Sequence, residues 1–332
     1  MFAHNEESSI ALLLRDLANQ TLLRDRKADR IANVRICVLC NGCKDGTVDK
    51  ASVAIKEEEI LSGVSELYDF QQGGKARTWN RFVEELPSDF DCIVFMDGDI
   101  RLPDSEALKN LIEELEVTDA CAVTSEPRKN LACLRRKPLL YRAAKTIVRK
   151  HVDGPICGQL YAVKASEIRG IRLPVPCLVD DGFLSACLIT GLFLHQGTPE
   201  RVRASHKVWH LFEPPSSFRE FFRHDVRMAL GVELNAALYT DLWAAESLEE
   251  RFALLTQFAG SEGIEQSISN HLLSPEKSAL KRRGVMKRAF GNNEEGIAGR
   301  LARFPLRFVH GIYMALVRRR ARHLFRQRQF EW

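Results

Sequence analysis

Two carboxylates, Asp97 and Asp99, stand two residues apart with Gly98 between them, directly after the apolar run Cys-Ile-Val-Phe-Met at 92–96. The run reads as a strand buried on both faces. In an open α/β sheet, ligands sit just outside the carboxyl ends of such strands. Hard oxygen ligands on a tight turn suit Mg2+ or Mn2+, ions that commonly bridge to phosphates. Taken alone, Asp-Gly-Asp is equally good chemistry for a surface turn. Three other loops follow expected strands with polar, glycine-bearing sequence: His4-Asn5-Glu6-Glu7, the stretch 41–47, and Gly73-Gly74-Lys75. Glycine lets backbone approach a ligand, a lysine neutralises phosphate, and carboxylates hold a metal. Together the four loops form a rim suited to a nucleoside diphosphate. G-x-G-x-x-G after the first strand and a Walker A sequence are both missing, which argues against a dinucleotide or P-loop site.

The elements that must carry these loops follow from the apolar pattern. Strands are expected at 1–3, 34–40, 64–70, 92–96, 120–125, 159–163 and 201–209. Helices are expected from Ser8, from 47 to about 58, from Lys75 to about 86, at 104–115, at 134–149, and after Asp180-Asp181. Strands alternating with helices at this spacing predict a doubly wound, mostly parallel α/β sheet. Beyond residue 213 only helical spacing remains. The expected division is a nucleotide-binding catalytic domain over 1–213 and a helical region over 214–332.

Read in order, these pieces resemble the family 2 glycosyltransferases, which have the nucleotide-sugar-binding GT-A fold. The matching stretches are HNEE at 4–7, CNGCKDGT at 40–47, GGKARTWN at 73–80, MDGDIRLP at 96–103, GPICGQLYAVKASEI around Gly158, and VDDGFL at 179–184. The resemblance covers about residues 1–230. It implies transfer of a sugar from a nucleotide-diphosphate donor to an acceptor hydroxyl with inversion. Asp97 and Asp99 match the family's D-x-D, with Asp97 near the ribose and Asp99 on the Mg2+ or Mn2+ that binds the diphosphate. Asp180-Asp181 matches the later acidic pair, whose second member, Asp181, is the general base. Lys75 matches the lysine near the donor phosphates, and Asn5 and Glu6 match the nucleoside-facing turn. Read without the family, Asp180 and Asp181 are helix N-cap residues, Lys75 is a solvated lysine, and Glu6 is a charge favoured at a helix start.

Three departures qualify the resemblance. Asn41 stands where an acidic residue usually accepts the N3–H of uracil. Because an amide both accepts and donates, UDP remains the expected base on weaker chemistry. The first strand is nearly missing, which points either to a start further upstream or to a truncated central strand. Finally, His224-x-x-Arg227-Met228 replaces the Gln-x-x-Arg-Trp of processive members. Arg227 still fits a diphosphate contact, and the loss of the tryptophan favours single-sugar transfer. His206 and His210 are candidates for a third metal ligand, with a structural histidine the simpler reading.

Bulk properties set the remaining expectations. Residues 281–332 hold 14 Lys and Arg against 3 Asp and Glu, so their +11 exceeds the chain's +4 and leaves −7 elsewhere. Leu301, Phe304, Phe308, Ile312 and Leu316 recur near helical spacing among arginines, and Pro305 can start a helix but not sit inside one. A basic amphipathic tail over about 296–329 reads as a membrane-surface element, or as a helix packed on the core with a solvated arginine face. The expected partners are a nucleotide-sugar donor, a carbohydrate or lipid-linked acceptor and an anionic membrane surface. Nucleic acid is not expected, because the core is acidic and no recognition motif appears. No uncharged apolar run reaches the ~18 residues of a membrane span. His4, Glu6 and Glu7 precede any apolar core, unlike a signal peptide, so a cytoplasmic or peripheral cytosolic location is expected. The nine cysteines then read as free thiols. Cys37, Cys40 and Cys43 lack the fourth ligand of an iron–sulfur site. Two other readings compete: a nucleotidyltransferase on a related sheet, and an inactive nucleotide-binding scaffold.

Overall fold

Parallel strands with apolar side chains on both faces need helices on each side, and the chain supplies them alternately. The computed structural model describes residues 1–24, 33–87, 89–134, 151–272 and 304–330. These fall into two units interleaved in sequence. The first comprises Met1–Cys133, Ile156–Arg169 and Arg201–Pro214; the second comprises Leu134–Pro155, Gly170–Glu200 and Pro215–Trp332.

The first unit is a mixed α/β sheet, mostly parallel as expected. Strands β1 (Phe2–Ala3), β2 (Ile36–Asn41) and β3 (Ser65–Phe70) pair in parallel in the order β1-β2-β3. Strands β4 (Cys92–Met96), β5 (Ala122–Lys129), β6 (Leu160–Lys164) and β7 (Val202–Phe212) form the order β4-β6-β5-β7, with β6 antiparallel to both neighbours. A parallel bridge from Phe2 to Asp97 stitches the two groups together. Strand β1, only two residues long, thus sits between β2 and β4. Its register is held by Leu39 N–H donating to the Met1 carbonyl (2.8 Å) and Gly98 N–H donating to the Phe2 carbonyl (2.7 Å). Helices α1 (Ile10–Ala18), α2 (Thr47–Glu57), α3 (Lys75–Glu84) and α4 (Ala107–Glu116) cover the sheet. Leu13 and Leu17 of α1, Val38 of β2 and Leu111 of α4 are buried in one core.

The second unit is helical. Its elements are α5 (Asp180–Ile189), α6 (Phe218–Ala244), α7 (Leu248–Ala259), α8 (Ser261–Leu272) and α9 (Phe304–Arg326). Ser217 caps α6: its hydroxyl accepts Glu220 N–H (3.2 Å), while the Glu220 carboxylate accepts the N–H of Ser216, one residue before the cap (2.6 Å). Pro305 falls in the first turn of α9, where its missing N–H costs nothing. The helix expected over 134–149 lies outside the described residues beyond Leu134, as do residues 296–303 of the tail. No helix among the described residues is long and apolar enough to cross a membrane.

Candidate active site

Strand β4 delivers the Asp97–Asp99 turn on a rigid base. Phe95 is 2% exposed and packs against Phe2 (ring centroids 5.8 Å), Trp79 (5.8 Å) and Tyr161 (5.2 Å). Gly98 lets β1 come close, since a Cβ there would lie 3.0 Å from the Phe2 carbonyl oxygen, tighter than ordinary contact. Past the turn, Arg101 forms a bidentate fork with Asp16 of α1 (2.6 and 2.8 Å), and Asp16 also accepts Leu102 N–H (2.9 Å). Motif reading missed this anchor. The apolar face of α1 gave no sign that Asp16, nine per cent exposed, would be drawn inward.

Lys75, the first residue of α3, reaches the turn. Its Nζ donates to Asp97 Oδ1 at 2.6 Å and to the Gly158 carbonyl at 3.2 Å. The Asp97 N–H donates to the Gln159 carbonyl (3.0 Å), so the segment expected to border the site does so through main chain. Asp99 is exposed as a residue. The protein around its carboxyl nevertheless raises its pKa, chiefly by desolvation, then through the charge of Asp97, with Lys75 working in the opposite direction.

The part of the rim at 4–7 and 41–47 is built from hydrogen bonds between loops. Asn41 is buried, and its side chain is a clasp: Nδ2 donates to the Ala3 carbonyl (3.0 Å) and Oδ1 accepts Gly74 N–H (3.2 Å). Its main-chain oxygen accepts from His4 Nδ1 (2.6 Å). A carbonyl only accepts, so His4 carries its proton on Nδ1, leaving Nε2 to accept from Asn5 Nδ2 (3.1 Å). Asn5 sits at φ 59°, a left-handed conformation that asparagine tolerates, and its Oδ1 accepts Lys44 N–H (2.8 Å). Gly42, at φ +61°, lets the 41–47 loop touch the 73–75 loop; a Cβ there would fall 2.7 Å from Gly73 backbone. Asp45 orders the start of α2 by accepting from Thr47 N–H (3.1 Å) and hydroxyl (2.5 Å).

Glu6 is the most perturbed carboxylate of this rim. Its side chain accepts from the Ser9 hydroxyl (2.8 Å), yet its pKa is pushed from 4.5 up to about 7, first by desolvation and less by Asp99, Asp97 and Asp45. Between those values the folded protein keeps a proton that the unfolded chain has released. Stability conferred by this group is thus present in acid and lost as pH rises from about 4.5 to about 7. In metal-free buffer, Glu6→Gln is expected to flatten that slope. Melting temperatures across this range would contradict the assignment if wild type and variant declined in parallel.

The histidines divide. His210 is fully buried with both nitrogens engaged, Nδ1 at Ser125 Oγ (2.6 Å) and Nε2 at Gln159 Oε1 (3.2 Å), so it is structural. His206 is exposed, in the part of β7 where the pairing with β5 shifts register. Among the described residues no group of three His, Cys, Asp or Glu side chains could hold a metal, so neither histidine completes a three-ligand site there. Cys37, Cys40 and Cys43 are free, with burial pushing the Cys40 thiol to about 12.

Asp180, Asp181 and Arg227 belong to the second unit. Asp180 and Asp181 are the first two residues of α5, not its N-cap, which is Val179. Acidic residues in a first turn are favoured by the helix dipole. Helix α6 fixes this turn. Asn235 Nδ2 donates to the Val179 carbonyl (2.9 Å) and the Tyr239 hydroxyl to the Gly182 carbonyl (2.8 Å), while Gly231 leaves room for Val179, which a Cβ would meet at 2.4 Å. Asp181 is half-buried and its Oδ1 accepts Gly182 N–H (2.8 Å). Arg227 is half-buried on α6. Asn235 and Tyr239 carry no motif and were invisible in sequence.

Residues 1–164 match the model of glycosyl transferase family 2. A mannosyltransferase from Pyrobaculum calidifontis, solved in complex with GDP-Man and Mn2+, superposes with a TM-score of 0.55 at 15% identity, over 100% of this chain and 86% of that one. Glucosyl-3-phosphoglycerate synthase from M. tuberculosis aligns at a TM-score of 0.45 and 18% identity, over 70% of this chain and 76% of its own. At 15% identity the likeness to the mannosyltransferase is one of fold. No curated protein matches the sequence.

Proposed function

The chain belongs to the family 2 glycosyltransferases through residues 1–164, and from that premise we propose that it transfers a single sugar from a nucleotide-diphosphate donor, UDP-linked first, to an acceptor hydroxyl with inversion. The observation that carries the reading is the Asp97–Asp99 turn at the carboxyl end of β4 with Lys75 beside it. Two hard carboxylates on one turn fit Mg2+ or Mn2+. Asp99 would hold the ion, with Asp97 shared between it and Lys75. When bound, such an ion supplies Lewis-acid charge at the diphosphate leaving group.

Asp181 takes the proton of the acceptor hydroxyl as that oxygen attacks the anomeric carbon. The bond from the anomeric carbon to the nucleoside diphosphate breaks on the opposite side. Lys75 turns from Asp97 to the donor phosphates, and Arg227 supports the diphosphate. His4, Asn5 and Glu6 border the nucleoside. Because both polar atoms of the Asn41 side chain are engaged in the protein, base preference falls to these rim residues. The P. calidifontis complex with GDP-Man keeps guanine beside uracil as the donor base. A carbohydrate or lipid-linked acceptor fits a chain whose last described helix is basic, working at an anionic cytosolic membrane face.

A thermal-shift panel of UDP- and GDP-sugars, with and without Mn2+, tests the reading. One base is expected to raise the melting temperature by several degrees only when Mn2+ is present, since a ligand that binds the folded state alone stabilises it. The same rise without the ion would remove the metal from the site.

A further inference from the structure

Helix α9 turns two faces to different surroundings. Val317, Ala321, Leu324 and Phe325 are buried, and the Tyr313 hydroxyl donates to Asp225 of α6 (2.7 Å). The other face exposes Ile312 (49%) and Leu316 (52%). Beside the seam between α9 and α6 lies a cleft of about 630 Å³, within the range of ligand sites. Arg219 and Arg223 of α6 and Arg320 and Arg328 from the other wall line it, and among the described residues no acidic side chain does. Its apolar lining is Phe222, Val226, Leu324 and Phe330. These are held in place: Phe222 packs edge-on against Tyr313 (6.0 Å) and Phe330 against Phe325 (5.9 Å).

The charges in the cleft are unevenly satisfied. Arg328 donates to Glu265 (3.3 Å) and Ser269 (2.8 Å). Glu220, the acid nearest in sequence, is turned to its cap at Ser216. Among the described residues, Arg219 and Arg320 form no ion pair. These two exposed guanidinium forks, without an ion pair among the described residues, match the roughly −1.5 to −2 charge and the oxygen pairs of a phosphate monoester. A bare phosphate would leave the aromatic and aliphatic lining wet, whereas an acyl chain would cover it.

We propose that this cleft binds a lipid with a phosphate-monoester head, the head between Arg219 and Arg320 and the chain along Phe222, Val226, Leu324 and Phe330. It is a holding site for an amphiphile, separate from the transfer chemistry, and it sharpens the membrane-face part of the reading above.

The test uses the full chain and soluble monomers, so that general attraction to a membrane surface cannot contribute. Isothermal titration with lysophosphatidic acid below its micelle concentration is expected to give saturable binding. Lysophosphatidylcholine and glycerol 3-phosphate are each expected to bind at least about tenfold more weakly. Equal binding of glycerol 3-phosphate would make this a free-phosphate site, and equal binding of lysophosphatidylcholine would make it merely greasy; either overturns the proposal. The double variant Arg219→Gln/Arg320→Gln should lose about tenfold or more in affinity. Arg319→Gln/Arg326→Gln, with the same loss of charge outside the cleft, should change it less than about twofold. Equal losses in the two variants would mean diffuse electrostatics and end the assignment. Asp181→Asn should bind the lipid like wild type, so a failure of the transfer reading would leave this result standing.

Discussion

Asp181→Asn is expected to lower kcat by about 10²- to 10⁴-fold, the span that a positioned general base contributes, while leaving the donor dissociation constant unchanged. The substitution isolates proton acceptance. An asparagine has the shape of the aspartate, and its carbonyl oxygen can keep the bond that Oδ1 now accepts from Gly182 N–H. The surrounding turn is also held independently of that charge, by Asn235 and Tyr239 on the carbonyls of Val179 and Gly182. A folded, donor-binding, inactive variant is therefore the expected product, with a melting temperature within a few degrees of wild type. Steady-state transfer with donor binding measured in parallel decides the matter. Transfer within a few-fold of wild type would remove the base assignment from Asp181. Asp180→Asn, one position earlier on α5, serves as the comparison and is expected to cost much less.

How much of this was legible beforehand differs by feature. Strands such as 92–96 were readable because both faces are apolar, and their ends because glycine and aspartate break the run so abruptly. Strand β1 was harder. Two residues carry no periodicity, and Phe2–Ala3 is a strand only because β2 and the Gly98 amide pair with it from either side. Direction was also hidden: residues 160–164 have the apolar content of any buried strand, and only tertiary pairing makes them antiparallel. Among site residues, Asp97, Lys75 and Gly158 meet where the loops were expected to converge. Asn41 sits on the same rim but as a clasp between loops, because a buried amide finds main-chain partners before it faces a ligand. Likewise the tail's spacing announced a helix, but not which stripe would pack. Ile312 and Leu316, two of the five residues of the expected apolar stripe, stay exposed while Val317 and Ala321 are buried. The choice depends on the partner surface, which local sequence does not contain.

Asp99→Asn is expected to abolish the Mn2+-dependent part of donor binding and to lower transfer by about 10³-fold or more, if the ion's stabilisation of leaving-group charge is worth several kcal/mol. Asp97 and Asp99 are not equivalent, and their present partners say why. Asp97 Oδ1 is already paired with Lys75 at 2.6 Å. Asp97→Asn would weaken that pair and free the lysine for phosphate, so part of the donor affinity should survive. Among the described residues Asp99 has no such substitute cation at hydrogen-bond distance, and what it loses is not replaced. Its raised pKa adds a second signature. A carboxyl that protonates above the ordinary aspartate range must release that proton before it can ligate, so Mn2+ affinity should fall with acidification earlier than an unperturbed aspartate would allow. Titrating Mn2+ in the presence of UDP across pH, for wild type and both variants, separates the two roles. If Asp99→Asn kept a wild-type Mn2+ response while Asp97→Asn lost it, the assignment of the two carboxylates would have to be exchanged.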